Sequence, residues 1–198
     1  MKTTGPGRRP YRMTARATAA AATGERILAA AAEVFYSTGD LPLNDVAARA
    51  GVTVQTVIRR FGGRDGLFAA ALERESGRVR DQRDTASVGD VAAAVRVLLD
   101  HYDEYGDKVL TLLALENRSA AAAQVLGEGR LLHRSWCERV FAPALAGLGG
   151  GSRARRLAQL VAVTDVYTWK LLRRDAGLSR DDVALALREL LDPLMGDH

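Results

Sequence analysis

Glycine divides the stretch between residues 24 and 63 into pieces too short to be stable alone. Gly39, Gly51 and the Gly62-Gly63 pair each interrupt a helix-forming pattern, and glycine takes at little cost the positive φ at which helices end. The first piece, residues 24–37, sets Ile27, Leu28, Ala31, Val34 and Phe35 on one stripe. The second, residues 43–50, repeats Val46, Ala47 and Ala50 at the spacing of a buried helical face. The third, residues 54–61, follows Thr53, whose hydroxyl is placed to accept the amide hydrogen of Thr56 as an N-cap. Isolated helices this short are marginal in water, so the three must pack on one another.

The rest of the chain is helical by pattern as well. After residue 10 proline occurs only at Pro42, Pro143 and Pro193, β-branched alternation is absent, and Ala, Leu, Arg and Glu dominate. Residues 64–82 read as a connecting helix that ends in a charged, solvated stretch. Further helices are expected over 88–105, 108–117, 120–148 with a break at Gly127 to Gly129, 153–175 and 180–194. The fold class is therefore all-α: an N-terminal three-helix head over residues 23–70, joined by a connecting helix to a larger helical domain over 71–198. The chain of 198 residues, 47% hydrophobic, is long enough to bury one substantial core. Residues 1–22 carry Lys2, Arg8, Arg9, Arg12 and Arg16 without an acidic residue and are expected to form a flexible basic arm. The arm either reaches along a minor groove or has no role. The net charge of +4 fits a polyanion partner and an arginine-rich surface equally well.

The segment 43–61 has the physics of two short helices forced together at a sharp angle. Ala47 allows close approach, Gly51 supplies the turn, and Val52, Val57 and Phe61 fill the wedge. The opposite face of the third helix then carries Val54, Gln55, Thr56, Ile58, Arg59 and Arg60. That mixture suits base edges, thymine methyls and phosphates in a major groove. A purely structural helical hairpin satisfies the same spacing.

The pattern Ile27-Leu28 to Phe35 and Gly39, Asp45-Val46-Ala47, Ala50-Gly51-Val52, Thr56, Arg59-Arg60-Phe61, Arg64-Asp65 and Leu67-Phe68 resembles the TetR family of bacterial repressors over residues 26–72. A weaker similarity to the dimerising region of some members lies in residues 167–179. The resemblance implies an all-helical homodimer whose divergent C-terminal domain often binds a small molecule. It places Asn44, Thr53, Val54, Gln55, Thr56, Ile58, Arg59 and Arg60 in the DNA-contacting region, with Arg64 where a phosphate-binding lysine is common. Two positions depart from the family: Ile58 replaces a usual tyrosine, and Pro42 stands where a threonine often caps the second helix.

The C-terminal half offers His101, Tyr102, Tyr105, His133, Trp136, Tyr167 and Trp169 as candidates for a ligand pocket with aromatic walls. Ordinary core and interface packing accounts for them equally. Two histidines with no third nearby do not make a metal site, and the lone Cys137 reads as a packed core thiol rather than a redox sensor. No catalytic constellation is present, so neither an enzyme nor a cofactor is expected. No run of about 18 uncharged apolar residues occurs, which predicts a cytoplasmic protein. Wide apolar stripes on 153–175 (Leu157, Leu160, Val161, Thr164, Val166, Leu171, Leu172) and 180–194 (Val183, Leu187, Leu190, Leu191, Leu194) predict a four-helix interface between two subunits. The expected function is a regulator, a repressor that binds a palindromic operator and is released by a small-molecule effector. The alternative is a dimeric architectural or partner-recruiting protein without ligand gating.

Overall fold

A computed structural model of the chain describes residues 9–196, and no strand occurs among them. The helices are α1 (Arg9–Thr38), α2 (Leu43–Ala50), α3 (Val54–Phe61), α4 (Arg64–Arg83), α5 (Val91–Leu115), α6 (Ala120–Val140), α7 (Ala142–Leu145), α8 (Gly150–Val163), α9 (Val166–Lys170) and α10 (Arg180–Met195), with a π-helical turn over Leu171–Asp175 after α9. Two compact units meet in the chain between Arg74 and Glu75, inside α4.

The first unit packs α1 to α3 and the start of α4 around Ile27, Ala31, Val34, Phe35, Leu41, Val46, Val57 and Leu67, all buried. Its punctuation is the predicted one. Gly39 takes φ 70°, Gly51 φ 64° and Gly62 φ 80°, so each of α1, α2 and α3 ends where glycine permits the left-handed turn. The expected flexible arm is corrected in part. Residues 1–8 lie outside the described residues, but from Arg9 onward the backbone is already helical and runs without a break into the predicted helix. Residues 17–22 are exposed throughout. Alanine propensity sustains the helix there, because extending an existing helix avoids the cost of nucleating one. The candidate DNA contacts of the arm, Arg8, Arg9, Arg12 and Arg16, lie outside the described side chains.

The second unit is a helical assembly whose core joins Leu98, Leu99, Tyr102, Trp136, Val140, Phe141, Leu157, Leu160, Trp169, Val183, Leu187 and Leu191. Three expected boundaries change. A break at residues 106–107 does not occur, and α5 runs through Gly106. The reason is tertiary: a Cβ on Gly106 would sit 2.5 and 2.6 Å from Cζ3 and Cη2 of Trp169. Glycine is there to admit the indole, not to end a helix. Similarly α6 passes through Gly127 and Gly129, where a Cβ would meet nothing. The predicted continuous helix over 153–175 instead breaks at Thr164-Asp165. Thr164 turns its hydroxyl back to the Leu160 carbonyl at 2.7 Å, and the Asp165 carboxylate accepts the Tyr167 amide hydrogen at 2.9 Å as the N-cap of α9.

The apolar stripes of the last helices also behave differently from expectation. Leu157, Leu160, Thr164, Val166, Val183, Leu187 and Leu191 are buried within one chain. They therefore cannot form the face of a subunit interface. What remains outward is a smaller set, Tyr167, Leu171, Leu185 and Leu190, each about half exposed.

Gly106→Ala is expected to destabilise the protein. Overpacking against a walled-in ring costs about 1–3 kcal/mol, which outweighs the helix-propensity gain of about 1 kcal/mol from replacing glycine. Gly127→Ala meets no neighbour and is expected to raise stability by up to ~1 kcal/mol. Urea unfolding of the two variants checks both signs.

Candidate functional site

In the first unit the geometry begins with the capping of α3. Thr53 is extended (φ −86°, ψ 153°) and its Oγ1 accepts the Thr56 amide hydrogen at 3.2 Å, while the two hydroxyls share a hydrogen bond of 2.9 Å. At the turn, Gly51 donates to the Ala48 carbonyl and Val52 to that of Ala47. Of the eight residues of α3 only Val57 is buried. Val54 and Thr56 are half-buried, and Gln55, Ile58, Arg59 and Arg60 are exposed. Asn44 is exposed near the start of α2. Of the predicted face, Gln55, Ile58, Arg59 and Arg60 are thus the residues that α3 exposes, with Asn44 exposed on α2.

Within that face the two arginines differ. Arg59 has no partner among the described residues. Arg60 folds back: a Cβ on the buried Gly24 would lie 2.3 Å from its Nη2, and its guanidinium carbon is 5.8 Å from the centroid of the Phe61 ring. Gly24 was read from sequence only as the beginning of a helix. Its role as a seat for Arg60 had no local signal. Arg64, the candidate phosphate anchor, is paired with Asp40 at 2.5 Å, and this contact holds the Asp40 carboxyl below the usual carboxylate range. Pro42 precedes α2 with φ −68° and no side-chain cap, and its carbonyl accepts the Asp45 and Val46 amides.

In the second unit the structure brings together six of the seven pocket candidates. His101 stacks on Tyr105 with centroids 5.1 Å apart and lies 5.3 Å from Tyr102, whose ring is 5.7 Å from Trp169. His133 stacks on Trp136 at 5.9 Å. Tyr167 is apart from these, 54% exposed, because the Asp165 cap turns it outward at the first turn of α9. The residue that joins the two aromatic groups was missed. Arg83, just beyond the expected end of the connecting helix and its charged, solvated stretch, is only 5% exposed. Its guanidinium carbon stands 4.9 Å from the Trp136 centroid and 5.8 Å from that of Tyr102.

Arginine can only donate, so its 3.1 Å contact from Nη1 to Nδ1 of His133 fixes the tautomer of that ring. Nε2 then carries the hydrogen and donates to Thr164 Oγ1 at 3.1 Å, and Thr164 passes its own hydrogen to Leu160. Burial, reinforced by the Arg83 charge, pushes His133 down to about 3 and His101 to about 2. Both are neutral at physiological pH. Burial raises the Cys137 thiol to about 11, so it is a protonated core thiol and not a thiolate. Burial likewise raises the Tyr102 phenol, which donates to the Thr164 carbonyl at 2.7 Å. No group of His, Cys, Asp and Glu able to hold a metal lies among the described residues, and no helix there is long and apolar enough to cross a membrane.

The two histidines have folded pKa values below their unfolded value near 6.5, so the unfolded chain binds more protons as pH falls. Stability is expected to be fully present above pH 6.5 and to fall toward pH 3 by about 1.4 kcal/mol per pH unit per histidine. Denaturant titrations from pH 7.5 to 4.5 should give a shallower dependence for His133→Asn.

Residues 27–71 match the family model described as bacterial regulatory proteins, tetR family. No curated protein matches the chain. Among solved structures, a TetR-family transcriptional regulator from Streptomyces coelicolor is similar at TM-score 0.65 and 21% identity, covering 88% of this chain and 96% of that one. NalD, the secondary repressor of the MexAB-OprM multidrug efflux pump in Pseudomonas aeruginosa, is similar at TM-score 0.53 and 21% identity, covering 88% and 94%. The multidrug binding protein EbrR, complexed with imidazole, is similar at TM-score 0.51 and 24% identity, covering 84% and 88%. Residues 27–71 thus match the tetR family of bacterial regulatory proteins, and the chain shares the fold of these solved structures over most of its length.

Proposed function

We propose that this regulator is a homodimeric repressor that occupies a palindromic operator and is released when a small molecule binds its second unit. The observation that carries the DNA-binding half is the surface of α3, an eight-residue helix with one buried side chain, a capped start and Gln55, Ile58 and Arg59 turned outward. Ile58 offers a methyl-bearing contact to thymine where a hydroxyl would have offered a phosphate bond. Arg64, with amide donors of the α4 N-terminus beside it, takes up the phosphate anchoring. For that, it exchanges Asp40 for phosphate.

Genomic fragments bound by the protein give the operator. On that operator Arg59→Ala is expected to lose about 1–3 kcal/mol of affinity and to relax base preference. Arg64→Ala is expected to weaken all sequences alike and to flatten the salt slope by about 1. Unchanged binding in both folded variants would remove the assignment of this face.

Dimerisation through the last two helices, about 153–175 and 180–194, is supported by the outward apolar residues Leu171, Leu185 and Leu190. Two heads then meet successive major grooves with half-sites ~34 Å apart. Light scattering is expected to give a dimer for the native chain and a folded monomer for Leu185→Glu combined with Leu190→Glu.

Effector release is supported by NalD being a repressor and EbrR a multidrug binding protein. The aromatic cluster around Arg83 is the site assigned to the effector. A ligand shifts the DNA equilibrium only through unequal affinity for the bound and free forms. Titrating compounds against the DNA-bound dimer measures this, and release by none of them would leave repression without gating.

A further inference from the structure

The chain does not lack carboxylates for its arginines. Arg130 pairs with Glu116, Arg174 with Asp107, and Arg180 with Asp100, all on the surface. Arg139, whose guanidinium donates to the Arg83 carbonyl, has Asp84 at 2.8 Å. Arg83 is far more buried than any of these, and among the described residues no carboxylate is within ion-pair distance of it. Its neighbours are the neutral His133 and the faces of Trp136 and Tyr102. A guanidinium cannot discard its proton to escape this, and a buried unpaired charge costs several kcal/mol.

The deficit in hydrogen bonding has the same sign. Among the described residues the buried side-chain polar atoms without a partner are Arg83 Nε, Trp169 Nε1 and Arg173 Nε, and all three are donors. Two of them belong to residues packed against Tyr102. The Arg173 guanidinium is otherwise occupied with the Leu178 carbonyl at 2.9 Å. A cluster with surplus positive charge and surplus N–H groups lacks an anionic acceptor.

We propose that the cluster around Arg83 receives a compact monocarboxylate with a flat apolar body, whose carboxylate pairs with Arg83 while the body lies among Tyr102, Trp136 and His101. The assignment rests on the effector reading above and adds the chemical class. One buried cation matches one negative charge. A phosphate dianion would leave a charge uncompensated, since both histidines are neutral and the Arg139 charge is already met by Asp84.

The test uses the full-length dimer with benzoate and its neutral isostere benzamide, followed by calorimetry and thermal melting. Benzoate is expected to bind about tenfold or more tighter than benzamide, the gain of a charge-assisted bond. In Arg83→Met that preference is expected to vanish while the ligand-free Tm rises by about 3 °C or more, because the unpaired charge is gone. Arg83→Lys retains the preference at lower affinity, which reports on the charge even if the methionine variant fails to fold. Equal binding of the two probes, no binding of benzoate at millimolar concentration, or a preference surviving in Arg83→Met would overturn the proposal. Release of DNA by neutral compounds with benzoate silent would refute the anion class and leave gating intact. Benzoate binding without any effect on DNA affinity would do the reverse.

Discussion

An eight-residue helix has too few internal hydrogen bonds to persist in water, so the exposed surface of α3 depends on the burial of Val57. That one side chain, fully enclosed, holds α3 against the first unit. The Thr53 cap and the Gly62 turn close its two ends. With a single residue fully committed to the core, half of the helix, Gln55, Ile58, Arg59 and Arg60, is exposed to solvent, and a rigid helix with an exposed polar face is what the proposed docking in a major groove requires. The same economy explains why Pro42 is tolerated. It removes a side-chain cap from α2, but the fixed φ starts the helix and the carbonyl still serves two amides.

Electrostatics in the two units follow opposite logics. On the first, charges are placed where water reaches them: Arg59 is exposed with no partner among the described residues, and Arg64 is held by an exposed carboxylate that screening keeps weak. In the second, a cation is enclosed by rings and a neutral imidazole. Cation–π contacts and one hydrogen bond offset part of the desolvation. The His133–Thr164–Leu160 relay then orients the imidazole so that its lone pair meets the guanidinium. The kink at Thr164-Asp165 therefore does two things at once: it supplies Thr164 to this relay and sends Tyr167 outward.

The boundaries of α2 and α3 were legible residue by residue, because their signals are local: glycines at the ends, a threonine cap, and apolar residues three and four apart. The exposed face of α3 followed from the same pattern. Six of the seven aromatic candidates of the second unit do converge, yet their organising residue, Arg83, sits in a run of charges that reads as a solvated helix end. The Thr164-Asp165 break had a signal, an aspartate able to cap the turn after it, which the strong periodicity on both sides concealed.

By itself, then, the sequence determined an all-α chain with a three-helix head and most of the residues that α3 exposes, since capping, turn formation and amphipathic spacing act within a few positions. Only the tertiary structure decided that Gly106 lies inside a helix, under the indole of Trp169, and that the stripes of the last helices close within one chain. It alone decided that Arg83 is enclosed, with its carbonyl bound by Trp136 from 53 positions away. Burial and uncompensated charge are properties of what surrounds a residue, and those surroundings are assembled from segments whose sequences carry no local trace of one another.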